Sequence, residues 1–178
     1  MGGPLDLANH LPFRVAVVSN LLALNRDLSI CCLSDLEQRE MRVLLNIGSY
    51  MPIKSADIAY QSRIDSSNVK HAVKVLLARK LINAKLDPTN EDIQYLSLTA
   101  SGTSLYKELI EILEPRAQAL ESVLSEEEKT SFFQSLAKIE AKAEQLLSQQ
   151  ALSFVNQGIE IPAEQIELLR WYKKSQEK

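Results

Sequence analysis

The sequence predicts a mostly α-helical chain broken once by a small two-stranded β-hairpin. Apolar residues recur at three- and four-residue steps through most of the chain. Two S-x-x-E capping boxes, Ser34 with Glu37 and Ser125 with Glu128, mark helix starts. Between residues 81 and 98 the period changes, and two short runs rich in β-branched or aromatic residues flank a Pro/Asn/Asp turn. With 178 residues, 46% of them apolar, the chain needs no disulfide or metal to bury a core.

In chain order, Pro12 fits the first turn of a helix running from Phe13 to Cys32, whose Val17, Val18, Leu21, Leu22, Leu24 and Leu28 spread so widely that it must be buried, by another subunit. The Ser34 box starts a second helix carrying Met41, Leu44, Leu45 and Ile47, which runs to Gly48 and is closed by Pro52. A short third helix through KSADIAYQ ends at the polar turn SRIDSSN. The fourth, from Ser66 to Arg79, buries Val69, Ala72, Val73, Leu76 and Leu77 and turns Ser67, Asn68, Lys70, His71 and Lys74 outward. LINAK and IQYLSL form the hairpin. Thr99 caps a long fifth helix in which Leu105, Leu109, Ile112 and Leu113 share a face and Pro115 removes a donor, so a kink or break is expected there. The sixth, after Ser125, has Phe132, Leu136, Ile139, Ala143 and Leu146 at the seam spacing of helices that pack along their length. Gly158 and Pro162 precede a last short helix, whose Trp171 and Tyr172 read as a core or dimer anchor.

The net charge of -3 hides an asymmetry: residues 54–85 hold seven bases and two acids. Such a cluster is either a phosphate-facing patch or a solvated lysine face. No apolar run reaches the length of a membrane span, and MGGPLDLANH lacks the basic and apolar regions of a signal peptide, so a cytoplasmic protein is expected. Cys31 and Cys32 are adjacent and have only Arg26 as a nearby preceding base, so they read as small buried residues rather than as oxidant-sensing thiols. His10 and His71 lack clustered partners for a metal. No nucleophile with its base, phosphate-binding glycine loop or scaffolded carboxylate pair is present, so no enzyme, catalytic residue or cofactor is expected.

The order helix, helix, short helix, polar turn, basic-faced helix, hairpin, two long helices resembles the MarR (multiple antibiotic resistance regulator) family of winged helix-turn-helix transcriptional regulators, over residues 12 to 148. The most specific stretch is DPTNEDIQYLSLTASG, residues 87–102. Asp87, Pro88, Leu98, Thr99 and Gly102 match the family's wing pattern without a gap, whereas its two wing arginines are replaced by Glu91 and Asp92. SADIAYQSRIDSSNVKHAVKVLLARKLI resembles the family's third and fourth helices, with Lys80 where a glycine is usual.

The resemblance implies a winged helix-turn-helix over residues 34–98, long dimerisation helices over 12–33 and 99–178, and a homodimer that binds a pseudo-palindromic operator in double-stranded DNA, open to a small-molecule effector between the two regions. The expected DNA-binding residues are Ser66, Ser67, Asn68, Lys70, His71, Lys74 and Lys85: short polar and basic side chains near a helix start suit base edges and phosphates. The acidic wing tip of Asp87, Glu91 and Asp92 would be repelled by a DNA backbone. That leaves three readings: the wing swings away, the site is weak, or the chain is a winged-helix module that binds protein instead.

Overall fold

The computed structural model describes residues 3–90 and 93–176. The first helix is shorter than its apolar run suggests. Helix α1 spans Leu11–Leu22, a 3-10 turn covers Leu24–Arg26, and α2 spans only Leu28–Leu33. Asp27 makes the break: its carboxylate accepts from the N–H groups of Ser29 and Ile30, capping a new helix inside the expected one. Ile30 alone of α2 is fully buried, and α1 buries no residue within the chain. Cys31 and Cys32 are both exposed, which corrects the expectation of burial.

Helix α3 (Gln38–Tyr50) starts later than the Ser34 box predicts. Ser34 Oγ accepts from Leu36 N–H, while Glu37 and Glu40 form the capping box. It also runs past Gly48, which is needed for contact rather than for an ending: a Cβ there would lie 2.3 Å from the Tyr106 ring. Strand β1 (Ile53–Lys54), too short to leave a periodic signal, follows Pro52. Helices α4 (Ser55–Ser62) and α5 (Ser66–Ala78) form the helix-turn-helix. Strands β2 (Ile82–Leu86) and β3 (Gln94–Leu98) form the hairpin. The sheet order is β1-β3-β2, all antiparallel, with Ile53 opposite Leu96 and Ile82 opposite Leu98. The expected two-stranded hairpin is thus, among the described residues, part of a three-stranded sheet, with β3 at its centre and β1 and β2 at its edges.

One core cluster joins these elements. Met41, Val43, Leu44 and Ile47 of α3 meet Ile58 of α4, Val69, Ala72 and Leu76 of α5, and Leu96 of β3, all at most 1% exposed. Leu77, expected on the buried face of α5, is 37% exposed.

Helix α5 ends in a Schellman turn: Leu81 N–H bonds to Leu76 C=O (3.0 Å) and Lys80 N–H to Leu77 C=O (2.9 Å). Lys80 stands at φ +56°, so the left-handed geometry that glycine favours is kept with a lysine in place. The Leu81 carbonyl then accepts from Thr99 N–H (3.0 Å). Helix α6 (Ala100–Glu121) starts there, capped by Thr99 Oγ1 on Gly102 N–H, and it continues across Pro115 without interruption. Helix α7 (Glu126–Asn156) begins at the expected Ser125–Glu128 box. Its apolar seam is not covered within the chain: Phe132 and Leu146 are half exposed, and the buried stripe is instead Glu144, Ser148 and Ala151. Helix α8 (Ala163–Gln176) lies over that stripe, and its Trp171 joins the core cluster.

Two substitutions test the junction after α5. A Cβ at residue 102 would stand 1.9 Å from the Leu81 carbonyl oxygen, a backbone atom that cannot give way. Gly102→Ala should therefore cost about 3 kcal/mol in a denaturant titration. Lys80→Gly should raise stability by about 0.5 to 1 kcal/mol, the relieved left-handed strain exceeding glycine's entropic cost.

Candidate nucleic-acid interface

The N-terminus of α5 is held by Asp65, whose side chain accepts from Asn68 N–H at 2.9 Å. That bond is the main cause of a carboxyl pKa below the ordinary value. With Val69, Ala72, Val73 and Leu76 inward, the helical period turns Ser67, Lys70, His71 and Lys74 to solvent, as expected. Lys85 is exposed on β2, opposite Tyr95, and is not among the residues lining the cleft beside α5. No ion pair among the described residues involves Lys70, Lys74 or Lys85.

Two expected readers are already engaged. The Asn68 side-chain amide donates to Asp65 Oδ2 and its carbonyl accepts from Arg39 Nη1 at 3.1 Å. Ser66 donates through both its backbone N–H (2.8 Å) and its hydroxyl to the Glu167 carboxylate of α8.

Beside α5 lies an open cleft lined by Lys54, Ser66, Lys70, Lys74, Gln94 and Arg170, with no acid among its described lining residues. Lys54 sits over the Tyr95 ring at 5.1 Å. Lys54 and Arg170 were not singled out from sequence: the first was only counted in the basic cluster, and the second reaches the cleft from a helix some hundred residues away in sequence.

At the wing, Glu91 and Asp92 lie outside the described residues. Asp87 is a turn residue: Oδ1 accepts from Thr89 N–H (2.8 Å), Thr89 Oγ1 (2.6 Å) and Asn90 N–H (3.2 Å). The Thr89 hydroxyl is the largest cause of its lowered pKa. These bonds hold the hairpin tip and favour the ionised carboxylate.

Helix α8 lies across the start of the helix-turn-helix. Besides Glu167 on Ser66, Lys174 pairs with Asp57 at 2.7 Å and lies 4.9 Å from the Tyr60 ring. Arg63, at φ +51° in the turn between α4 and α5, stands between Tyr60 (4.3 Å) and Trp171 (5.6 Å) and pairs with Glu144 (2.7 Å) and Glu140 (3.1 Å) of α7. Glu144 Oε1 is buried without a hydrogen-bond partner. On the other side of α5, a crevice of about 680 Å³ is lined by Asn25, Cys31, Asp35, Arg39, Arg42 and Asn68, within the size range of small-molecule sites.

No family model matches the chain, and no curated protein matches it. Solved structures do. A MarR/EmrR family transcriptional regulator from Acinetobacter sp. ADP1 superposes with a TM-score of 0.72 at 21% identity, covering 79% of this chain and 99% of that one. A Listeria monocytogenes protein described as a MarR family transcriptional regulator, complexed with 26mer DNA, gives 0.70 at 19% identity over 86% and 98%. The PcaV transcriptional regulator from Streptomyces coelicolor, in complex with its natural ligand, gives 0.67 at 18% identity over 80% and 99%. At these identities the likeness establishes the fold: the chain has the winged-helix fold of the MarR-type regulators.

The Asp65 cap has a defined pH signature. Because its folded pKa is lowered, its contribution is fully present above the unfolded value of about 3.9 and is lost as pH falls through the folded one. Asp65→Ala should lower stability by about 1 kcal/mol at neutral pH. Chemical denaturation at a series of pH values should show that difference constant above about pH 5 and shrinking below about 4.

Proposed function

We propose that this chain is a cytoplasmic, homodimeric transcriptional regulator that binds a pseudo-palindromic operator in double-stranded DNA. The observation that carries the reading is the outer face of α5, where Lys70 and Lys74 stand exposed, with no ion-pair partner among the described residues, beside a cleft that Lys54 and Arg170 also line. Phosphate contacts from such lysines position a recognition helix, and Ser67 and His71 on the same face offer groups for base edges. Residues 34–98 are the reading unit in this proposal, while residues 12–33 and 99–178 join two copies. That the Listeria protein of the same fold was crystallised with 26mer DNA supports the assignment.

Pairing of two copies is supported by what the single chain leaves uncovered. Leu11, Phe13, Val15, Val18 and Leu21 of α1 are 42–65% exposed, and α7 adds Phe132 and Leu146 of its seam and the neighbouring Phe133. Apolar area of that extent on long helices is the mark of an obligate interface. The crevice beside α5 is the place for an effector, and PcaV, bound to its natural ligand, lends that support. Arg39, which lines the crevice and bonds to Asn68, would carry the effect to the helix. The protein-binding alternative draws on Glu91 and Asp92, two carboxylates at sequence positions where the resembled family's pattern has arginines.

Anisotropy titration with genomic duplexes at several salt concentrations separates the two. The double variant Lys70→Ala, Lys74→Ala should fold normally and, in a dimer, flatten the slope of log affinity against log salt by about 3 to 4 units. A folded double variant with unchanged affinity and slope would remove α5 as the reader. Light scattering should give a mass twice the 20.0 kDa of the chain at micromolar concentration. A monomer there would refute the interface.

A further inference from the structure

We propose that α8 holds this chain in a DNA-excluded state, with Glu167 seated on the N-terminus of α5 in the place that a DNA phosphate would take. This rests on the reading of α5 as the DNA-contacting helix. Three features of the structure support it.

Chemistry comes first. Where a recognition helix starts, free backbone N–H groups and short hydroxyl side chains receive phosphate oxygens. Here Ser66 gives both its N–H and its hydroxyl to the Glu167 carboxylate. An anion of the chain itself fills the position and adds a charge that repels DNA.

Space is the second feature. A major groove about 12 Å wide admits one helix, itself about 10 Å across with its side chains. Helix α8 reaches α4 through Lys174 on Asp57 and the turn through Trp171 on Arg63, so it lies over the end of the motif that must enter first. The groove cannot take both helices.

Reversibility is the third. Around the buried Trp171 and the partly buried Leu168, the contact is made of ion pairs, hydrogen bonds and cation–π contacts, and Lys174 and Asp57 keep 44% and 37% of their side-chain area exposed. Glu144, which ties Arg63 from α7, has one oxygen buried and unsatisfied, a cost that the seated state carries and a released state sheds. Residues 157–162, with Gly158 at φ +73°, connect α7 to α8 and supply the hinge. One residue of α8 argues for the opposite role: Arg170 lines the cleft with Lys54, Lys70 and Lys74, where it could add a phosphate contact instead.

The test uses the full-length protein, a fluorescein-labelled mixed-sequence DNA duplex at low salt, and Trp171, the single tryptophan, as reporter of α8. The double variant Glu167→Gln, Lys174→Ala removes the two polar anchors, and circular dichroism checks its fold. It should bind the duplex about tenfold more tightly than the native chain, or better. Its tryptophan emission should be red-shifted and acrylamide-quenched without DNA. In the native chain the same red shift should appear only when duplex is added. Equal affinity of both proteins, with Trp171 still shielded in the native complex, overturns the inference and leaves the DNA reading intact. Weaker binding by the variant also overturns it and makes α8 part of the DNA contact. If the variant exposes Trp171 and neither protein binds duplex at any salt, the DNA reading fails and the inference falls with it.

Discussion

Everything after α5 hangs on the backbone of Leu81. Its N–H closes the Schellman turn of α5, its carbonyl accepts the Thr99 N–H that ends β3, and the start of α6 packs so closely on that carbonyl that only a residue without a Cβ fits at 102. The end of the helix-turn-helix, the base of the hairpin and the first turn of α6 therefore share one backbone point. No side-chain rotation can loosen it, because the atoms in contact are main-chain atoms. The face of α5 is thus tied in orientation to the axis of α6.

Charge is placed with a similar economy. Counted along the sequence, the acids near the basic cluster look like interference, yet Asp65 and Asp87 are committed to backbone N–H groups at a helix start and a turn. Arg63 and Arg79, counted among the bases, are equally committed, to Glu140 and Glu144 and to Asp35. The charged residues lining the cleft, among those described, are Lys54, Lys70, Lys74 and Arg170. The formal balance of a segment therefore says less about its field than the list of groups left over once caps and ion pairs are satisfied.

The parts that were legible in sequence are those set by local rules. The 3.6-residue period identified the buried face of α5, and capping chemistry placed Thr99 and Ser125. Gly102 could be matched by spacing, but the reason for it, a carbonyl twenty-one residues earlier, is a tertiary fact. The break in the first helix was hidden because Asp27 competes with helix continuation only when the chain turns there; the apolar count on either side carries no sign of it. Cys31 and Cys32 read as buried because no base lies beside them to activate a thiol, but the want of a base says nothing of packing, and in the chain both are exposed. The engagement of Ser66 by Glu167 spans 101 residues, and no local pattern announces such a pairing.

Pro115 gives α6 a mechanical character. The helix is 22 residues long, about 33 Å at 1.5 Å per residue, and the proline removes one rung of its hydrogen-bond ladder two turns before the far end. A beam softened near one support bends there first. With the near end clamped at Leu81, a tilt of about 10° at the softened point swings the other end through only a small arc. The same tilt in a molecule anchored at the far end sweeps the hairpin through about 4 to 5 Å, a sizeable part of the width of a DNA groove. The position of one proline thus decides which end of the lever is the handle and which is the blade.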